Sequence, residues 1–371
     1  MAGIYIHIPF CKKRCIYCDF FSSTKIQKKE VYIDLICREL QERKGYLKNQ
    51  SINTIYFGGG TPSLLSACDF QKIFTQIYSL FTVQQSPEIT LEANPDDITS
   101  EYLQSIQQLP FNRISLGIQS FNDDELQFLN RRHDSASAIQ AVRLCQDFSF
   151  KNISIDLMYG LPSQTLETWK STILQALALN IQHISAYHLI YEEGTKLHRL
   201  LKAEKIQPIE ENGSIQMFEM LIDYLAETGF EQYEISNFAH PDYYSKHNSS
   251  YWNGTPYLGI GAAAHSYNGI SRQWNQPTKN GLYEIETEVL DEKAVFNDFI
   301  ITRLRTMKGI DLNEIQSLFG KDVKENCLKQ AQKQLDNQCL QIIDNHLRLT
   351  RQGIFVSDGI MRDLIQLRIK N

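Results

Sequence analysis

Short β-branched runs alternate with longer amphipathic stretches over the first two-thirds of the chain, and this alternation limits the fold more than any single motif. Runs at 4–8, 54–57, 88–93, 113–118, 152–158 and 181–188, with a weaker one at 232–236, read as strands. Between them, residues 30–46, 67–80, 101–109, 124–129, 166–179 and 215–227 carry apolar side chains at helical spacing. Such alternation places parallel strands in one sheet with helices packed on its faces. An open sheet and a barrel both satisfy the pattern. About six evenly spaced units, each with polar residues where its strand ends, favour a full or partial (β/α) barrel, whose sites gather at the C-terminal face of the strands.

The strand ends carry the chemistry. The first is followed by Cys11-Lys-Lys-Arg-Cys15-Ile-Tyr-Cys18, the second by Gly58-Gly-Gly-Thr-Pro-Ser63, and the third by Glu92-Ala-Asn-Pro95. The fourth runs through Ser115-Leu-Gly-Ile-Gln119, the fifth holds Asp156, and the sixth ends in Ser185-Ala-Tyr-His188. Taken singly, Asn94 and Ser63 read as caps before they read as ligands. Repetition in unit after unit points instead to one shared mouth.

Three cysteines in eight residues supply three thiolates and no fourth. A four-iron cluster held that way keeps one iron open to a small molecule. A structural zinc takes four protein ligands, often as two separated pairs, and the only close pair here is Cys15/Cys18. The other five cysteines stand singly, as buried thiols do, and Met1-Ala-Gly3 runs straight into a strand with no signal-peptide pattern. The expectation is a reducing cytoplasm and a reactive iron–sulfur site, with zinc as the alternative.

An open iron suits a ligand that chelates through an amino and a carboxylate group. S-adenosylmethionine has both, with a sulfonium that a reduced cluster cleaves. Gly58-Gly59-Gly60-Thr61 lets a ligand approach backbone N–H groups, and lacks both the Lys of a P-loop and the dinucleotide fingerprint. Glu92 can accept from an ammonium or ribose, while Gln119, Arg131 and Asp156 can fix further polar groups. A surface ion pair and a strand-end cap are the plainer readings of Arg131 and Asp156.

Composition narrows the partners. With 37 Lys and Arg against 43 Asp and Glu, a net charge of −6 argues against a nucleic-acid footprint. The basic spots Lys12-Lys-Arg14 and Arg131-Arg132 read equally as solvated charge or as attraction for an anion. No apolar run approaches the about 20 residues needed to span a bilayer. Beyond about residue 230 the chain turns aromatic and glycine-rich, and from residue 292 it reads as helices over 294–307, 312–319 and 323–337, two short strands around Asp344 and Asn345, and a helix over 351–364. Helices with a small hairpin suggest a winged-helix-like module, yet no basic recognition helix accompanies it. The expected division is a barrel over residues 1–238, a connecting segment over 239–291 and a small domain over 292–371.

These residues carry a resemblance. Cys11-x3-Cys15-x2-Cys18 with Gly58-Gly-Gly-Thr-Pro62 resembles the radical S-adenosylmethionine superfamily, and Tyr5-Ile-His-Ile-Pro-Phe-Cys11 is similar to its oxygen-independent coproporphyrinogen III oxidase branch. The similarity runs nearly end to end, through Leu116-Gly-Ile-Gln-Ser-Phe121, Asp156-Leu-Met-Tyr-Gly-Leu-Pro162, Tyr233-Glu-Ile-Ser-Asn-Phe238 and Leu349-Thr-x-x-Gly353. It implies an α/β fold, a partial (β/α)6 TIM-like barrel followed by a small winged-helix-like C-terminal domain. It also implies that Cys11, Cys15 and Cys18 hold a [4Fe–4S] cluster, and that Tyr5, Gly59, Gly60, Thr61 and Glu92 contact the cluster-bound S-adenosylmethionine. Tyr17, Gln119, Arg131 and Asp156 would line the rest of that region.

One departure divides the branch. The oxidases continue Cys-x-Cys, whereas Phe20 stands at that place here, and the cluster loop begins only at residue 11. Both features resemble the haem-chaperone members, as does His247-Asn-Ser-Ser-Tyr251-Trp252, similar to a His-Asn-x-x-Tyr-Trp motif linked to haem binding in that group. A neutral imidazole is a common axial ligand and flanking aromatics stack on a porphyrin. The plainer reading of His247 is a loop histidine bonded to backbone, with Trp252 as a core anchor. His265 is a second ligand candidate, while His7 and His133 read as structural or cofactor-adjacent. The resemblance implies a haem chaperone that delivers haem to an unidentified acceptor protein, membrane-associated acceptors included. Radical decarboxylation of coproporphyrinogen III, and a different radical substrate, are the alternatives, and the oligomeric state stays open.

Overall fold

The computed structural model describes residues 1–278 and 283–365. Six strands, β1 (Ala2–Ile8), β2 (Ile52–Gly59), β3 (Val83–Ala93), β4 (Arg113–Gln119), β5 (Ile153–Tyr159) and β6 (His183–His188), pair in parallel in that order. Their middles are apolar and buried on both faces, which suits a parallel sheet covered by helices. The helices between them are α1 (Lys29–Glu42), α2 (Ala67–Leu80), α3 (Ser100–Ile106), α4 (Asp123–Phe128), α5 (Ser135–Asp147) and α6 (Leu166–Leu177), followed by α7 (Lys196–Lys202) and α8 (Glu211–Glu227). Start signals fix several of them: Ser66 and Asp69 form a reciprocal cap on α2, and Asn122 and Asp134 cap α4 and α5. Trp169 of α6 is fully buried, and its indole N–H donates to the Met217 carbonyl at 2.8 Å, locking α6 to α8.

The run at 232–236 is not one strand. β7 (Glu231–Gln232) and β8 (Asn237–Ala239) form a hairpin beyond β6. Buried Glu234 accepts from the Ser236 amide at 2.9 Å and from the Asn237 side chain, so its carboxylate organises the turn that the apolar pattern conceals.

Strands within residues 257–277 and 283–289 extend the same sheet from its other edge. After α9 (Lys246–Asn253), β9 (Tyr257–Ile260) pairs in parallel with β1, and β10 (His265–Tyr267), β11 (Ser271–Pro277) and β12 (Tyr283–Val289) follow antiparallel. The bend between β9 and β10 requires glycine, because a Cβ on Gly259 would meet the His265 carbonyl oxygen at 2.0 Å. A buried ion pair ties this extension to the barrel. Arg43 meets Glu39 at 2.9 Å and donates to the Gly259 carbonyl, Ser266 and Gln273 at 2.8, 2.9 and 2.8 Å. Glu39 also accepts from the Gly261 amide, from Asn275 and from Tyr283. These long-range polar partners leave no period in the sequence, and the aromatic, glycine-rich stretch does not announce four strands.

The last part comprises α10 (Glu292–Leu304), β13 (Ile310–Asp311), α11 (Leu312–Phe319), α12 (Lys321–Asp336), the hairpin β14 (Leu340–Ile343) and β15 (His346–Leu349), α13 (Arg351–Ile354) and α14 (Ser357–Ile365). Its three strands lie in the order β13-β15-β14, a winged-helix-like arrangement. The single helix expected over 351–364 breaks at Phe355 and Val356, after which Ser357 starts α14.

Candidate cluster loop and cofactor mouth

The loop after β1 is pinned at both ends. Phe10 bridges Ser23, with the Cys11 amide donating to the Ser23 carbonyl at 3.0 Å and the Ser23 amide to the Pro9 carbonyl at 2.6 Å. His7 adds a further tie, because its Nε2–H donates to the Phe21 carbonyl at 3.0 Å, which leaves Nδ1 to accept from the Tyr5 hydroxyl at 3.1 Å. Cys11, Cys15 and Cys18 are all free thiols and half-buried. Burial pushes the Cys11 thiol up and that of Cys18 up to about 11, so these two thiols stay protonated at neutral pH. Binding a metal cluster would displace those protons. The Thr61 hydroxyl donates to Cys11 Sγ at 3.5 Å and Arg131 Nη1 to Cys15 Sγ at 3.3 Å. Hydrogen bonds to cluster sulfurs are among the means by which a protein tunes an iron–sulfur centre. Among the described residues no three His, Cys, Asp or Glu side chains are grouped to hold a single metal ion. The donor set, three thiols on one loop with donors aimed at two of them, fits a cluster that spreads its ligands.

The remaining strand ends converge on this loop. Thr61 accepts from Asn94 Nδ2 at 3.1 Å, and Asn94 Oδ1 accepts from Arg131 Nη2 at 2.7 Å. Arg131 also bonds the Gly117 carbonyl. A continuous chain therefore runs from Cys11 through Thr61, Asn94 and Arg131 to Cys15. Asn94, which reads as a cap in the sequence, is its central link. Tyr17 is packed against Arg131 and Cys15, and burial raises its phenol well above the usual range.

Behind that chain lies the shelf. Gly59 has φ +106°, and a Cβ there would sit 2.5 Å from the His7 ring, so only glycine is accommodated. Glu92 accepts from the Tyr56 hydroxyl at 2.6 Å and from the Gly59 amide at 3.1 Å. Burial raises its carboxyl to about 7, with Asp156 adding to the rise. Asp156 is itself raised by burial to about 6. Two carboxyls poised near neutrality in one buried mouth await a cationic or hydrogen-bonding guest. Gln119 is buried at φ +72°, where the β4–β5 register shifts. A non-glycine residue held there is strained, as site residues often are. Tyr5 stacks on Tyr56 with ring centroids 6.0 Å apart, completing the wall.

The basic spots resolve differently. Lys12 and Arg132 both reach Asp97, at 2.7 and 3.3 Å, and Ser63 bonds its other oxygen at 3.0 Å. Those two cations brace the loop, whereas Arg131 faces the site. His133 is buried and bonded to the Ile118 carbonyl at 3.0 Å, a structural role.

His247 does not stand at the mouth with a free nitrogen. It is 1% exposed on α9, not on a loop, with Nδ1 2.7 Å from the Thr54 hydroxyl and Nε2 2.9 Å from the Tyr251 hydroxyl. Both ring nitrogens are occupied, and the imidazole stacks on Tyr56 at 5.0 Å. Burial lowers its pKa to about 3, so it is neutral. The neighbouring Tyr251 and Trp252 face a cavity of about 860 Å³ that opens between the cluster loop, β9–β11 and the C-terminal helices. That cavity has no sequence signature, because its walls come from four separate parts of the chain.

Residues 5–176 match the Radical SAM superfamily and residues 290–356 match the HemN C-terminal domain. The heme chaperone HemW of Lactococcus lactis subsp. lactis (strain IL1403) is 31% identical over 97% of this chain and 96% of its own length. That of Bacillus subtilis (strain 168) is 33% identical over 87% of this chain and 88% of its own. The chain belongs to the HemW family. The solved coproporphyrinogen III oxidase HemN of Escherichia coli, a radical SAM enzyme, superposes with a TM-score of 0.83 over 98% of this chain and 89% of its own at 21% identity. That likeness establishes a shared fold. Radical SAM membership implies a [4Fe–4S] cluster and S-adenosylmethionine, and the three-thiol loop and its shelf fit both groups. Among the described residues no helix is long and apolar enough to cross a membrane.

Proposed function

We propose that this protein is a cytoplasmic haem carrier that holds a [4Fe–4S] cluster with S-adenosylmethionine and delivers haem to a haem-requiring acceptor, membrane-associated acceptors included. The observation that carries the proposal is the pairing of a three-thiol loop with Phe20 at the place where the oxidases have a further cysteine. Phe20 is 63% exposed beside the cluster cysteines, where a phenyl ring offers only an apolar face. HemW relatives named as heme chaperones support the same reading.

Each residue then has a task. Cys11, Cys15 and Cys18 would hold three irons, and Arg131 and Thr61 would donate to their sulfurs. The Gly59–Gly60 backbone, Thr61 and Tyr5 would bound the S-adenosylmethionine, and Glu92 would accept from its ammonium or ribose, with Tyr17, Gln119, Arg131 and Asp156 closing the remaining sides. When bound, the reduced cluster supplies an electron to the sulfonium. The carboxyls of Glu92 and Asp156 ionise readily once a cation sits beside them, because an opposite charge offsets the burial that raises them.

The test is haem uptake by the protein reconstituted anaerobically with iron and sulfide. A Soret band that survives gel filtration is expected, with no turnover of coproporphyrinogen III. Turnover of coproporphyrinogen III without haem uptake would make the protein an oxidase and overturn the proposal.

A further inference from the structure

The geometry points to His265, not His247, as the axial ligand of a haem seated in the cavity between the cluster loop and the C-terminal helices. This inference rests on the haem-carrier reading above and places its cargo.

The cavity's volume of about 860 Å³ lies in the roughly 300–1,000 Å³ range of cofactor pockets. Its walls are aromatic on several sides. Phe20 and Phe21 come from the cluster loop, Tyr251 and Trp252 from α9, and Phe299 and Phe319 from α10 and α11. Flat rings on opposed walls suit a planar macrocycle. They also give Phe20 a purpose, since it lines the cavity at the edge nearest the cluster.

The ligand follows by elimination among the lining residues. Two histidines face this space, His7 and His265. Both nitrogens of His7 are engaged, by Tyr5 and by the Phe21 carbonyl. His247 is not in the wall at all, and both its nitrogens are engaged too. His265 is exposed, and among the described residues neither of its ring nitrogens has a hydrogen-bond partner. Its ring is held by Trp274, directly opposite on β11, with centroids 6.5 Å apart and planes at 27°.

The register of β10 and β11 supplies the rest. His265 and Tyr267 lie two residues apart on one face of β10, and Tyr267 pairs with Arg272. Arg272 meets Glu288 and Asp298 at 3.0 and 3.2 Å and lines the cavity beside Tyr267, where its guanidinium suits an acidic edge group such as a propionate. The His-Asn-x-x-Tyr-Trp motif thus divides its labour. His247 fixes Tyr251 by hydrogen bond, and Tyr251 and Trp252 face the guest.

The experiment compares His265→Ala with the unsubstituted protein, both reconstituted, titrated with haem and separately with metal-free protoporphyrin IX. His265 is exposed, so its substitution leaves the fold intact. The expected result is a displaced Soret maximum and a haem affinity lower by more than about tenfold, the cost that even an outer-shell partner of a metal ligand can carry. Added imidazole restores the original Soret position, while affinity for the iron-free porphyrin is unchanged. Trp252→Ala weakens both porphyrins, since it removes a wall and not a ligand. An unaltered Soret position and haem affinity in His265→Ala overturn the ligand assignment. Failure of the unsubstituted protein to take up haem sinks the carrier reading itself, so the two failures are distinguishable.

Discussion

Removing the Glu39 carboxylate should cost about 4 kcal/mol. Glu39 is 4% exposed and accepts from Arg43, Asn275, the Gly261 amide and Tyr283, while Arg43 is 8% exposed. Four bonds to a charged acceptor, at the low end of about 1.5 kcal/mol each, would sum to about 6 kcal/mol if additive. Breaking one side of a buried ion pair costs about 3–5 kcal/mol, because the surviving charge stays buried and unpaired. Bonds sharing one acceptor are not additive, so the lower range governs. In Glu39→Ala, Arg43 keeps four neutral acceptors, which soften the loss without neutralising the guanidinium. The assay is urea denaturation followed by far-UV circular dichroism, with hydrogen exchange of β9–β11 amides alongside. Glu39→Ala should exchange faster in those strands first, since Glu39 and Arg43 together fasten them to α1. The double variant Glu39→Leu with Arg43→Met should recover most of the stability, because two apolar residues leave no orphan charge. A Glu39→Ala midpoint within about 1 kcal/mol of the parent, or a double variant worse than the single, would refute the reasoning.

Further expectations are local to the mouth. Cys15→Ala should abolish the visible absorption of the reconstituted cluster while the far-UV spectrum and denaturation midpoint hold, because Cys15 itself is half-buried and outside the apolar core; global unfolding would make the metal structural. Gly59→Ala should weaken S-adenosylmethionine binding in equilibrium dialysis and cost roughly 1–3 kcal/mol, since φ +106° and a 2.5 Å approach to the His7 ring both oppose a Cβ. Glu92 has a folded pKa of about 7 against 4.5. The folded ligand-free protein therefore binds more protons than the unfolded chain between those values, and stability falls as pH rises through that window. Glu92→Gln should flatten that fall in midpoints measured from pH 5 to 8, and an unchanged slope would deny Glu92 the raised pKa.

The chain's local pattern by itself determined the succession of parallel strands with covering helices and the three-thiol loop. A strand or helix shows in the period of its own apolar residues, and thiol ligands show in the few residues between them. That is why the six barrel strands, the full extent of α2 at 67–80, and the glycines of the shelf were all legible. What faces what is a different kind of fact, because burial and hydrogen-bond partners arise only when distant segments meet. Glu234 reads as strand and makes a turn. Lys12 and Arg132 read equally as solvated charge or as an anion's attractants, and they brace Asp97. His247 reads as a haem ligand or a loop histidine bonded to backbone, yet α9 sets it against Thr54 and Tyr251 with no nitrogen to spare. His265 reads as the lesser histidine, and only the β10–β11 register and the docking of α10 and α11 place it in the wall of a cavity. Tertiary structure decided those positions, since no short-range period encodes which faraway surface a side chain will touch.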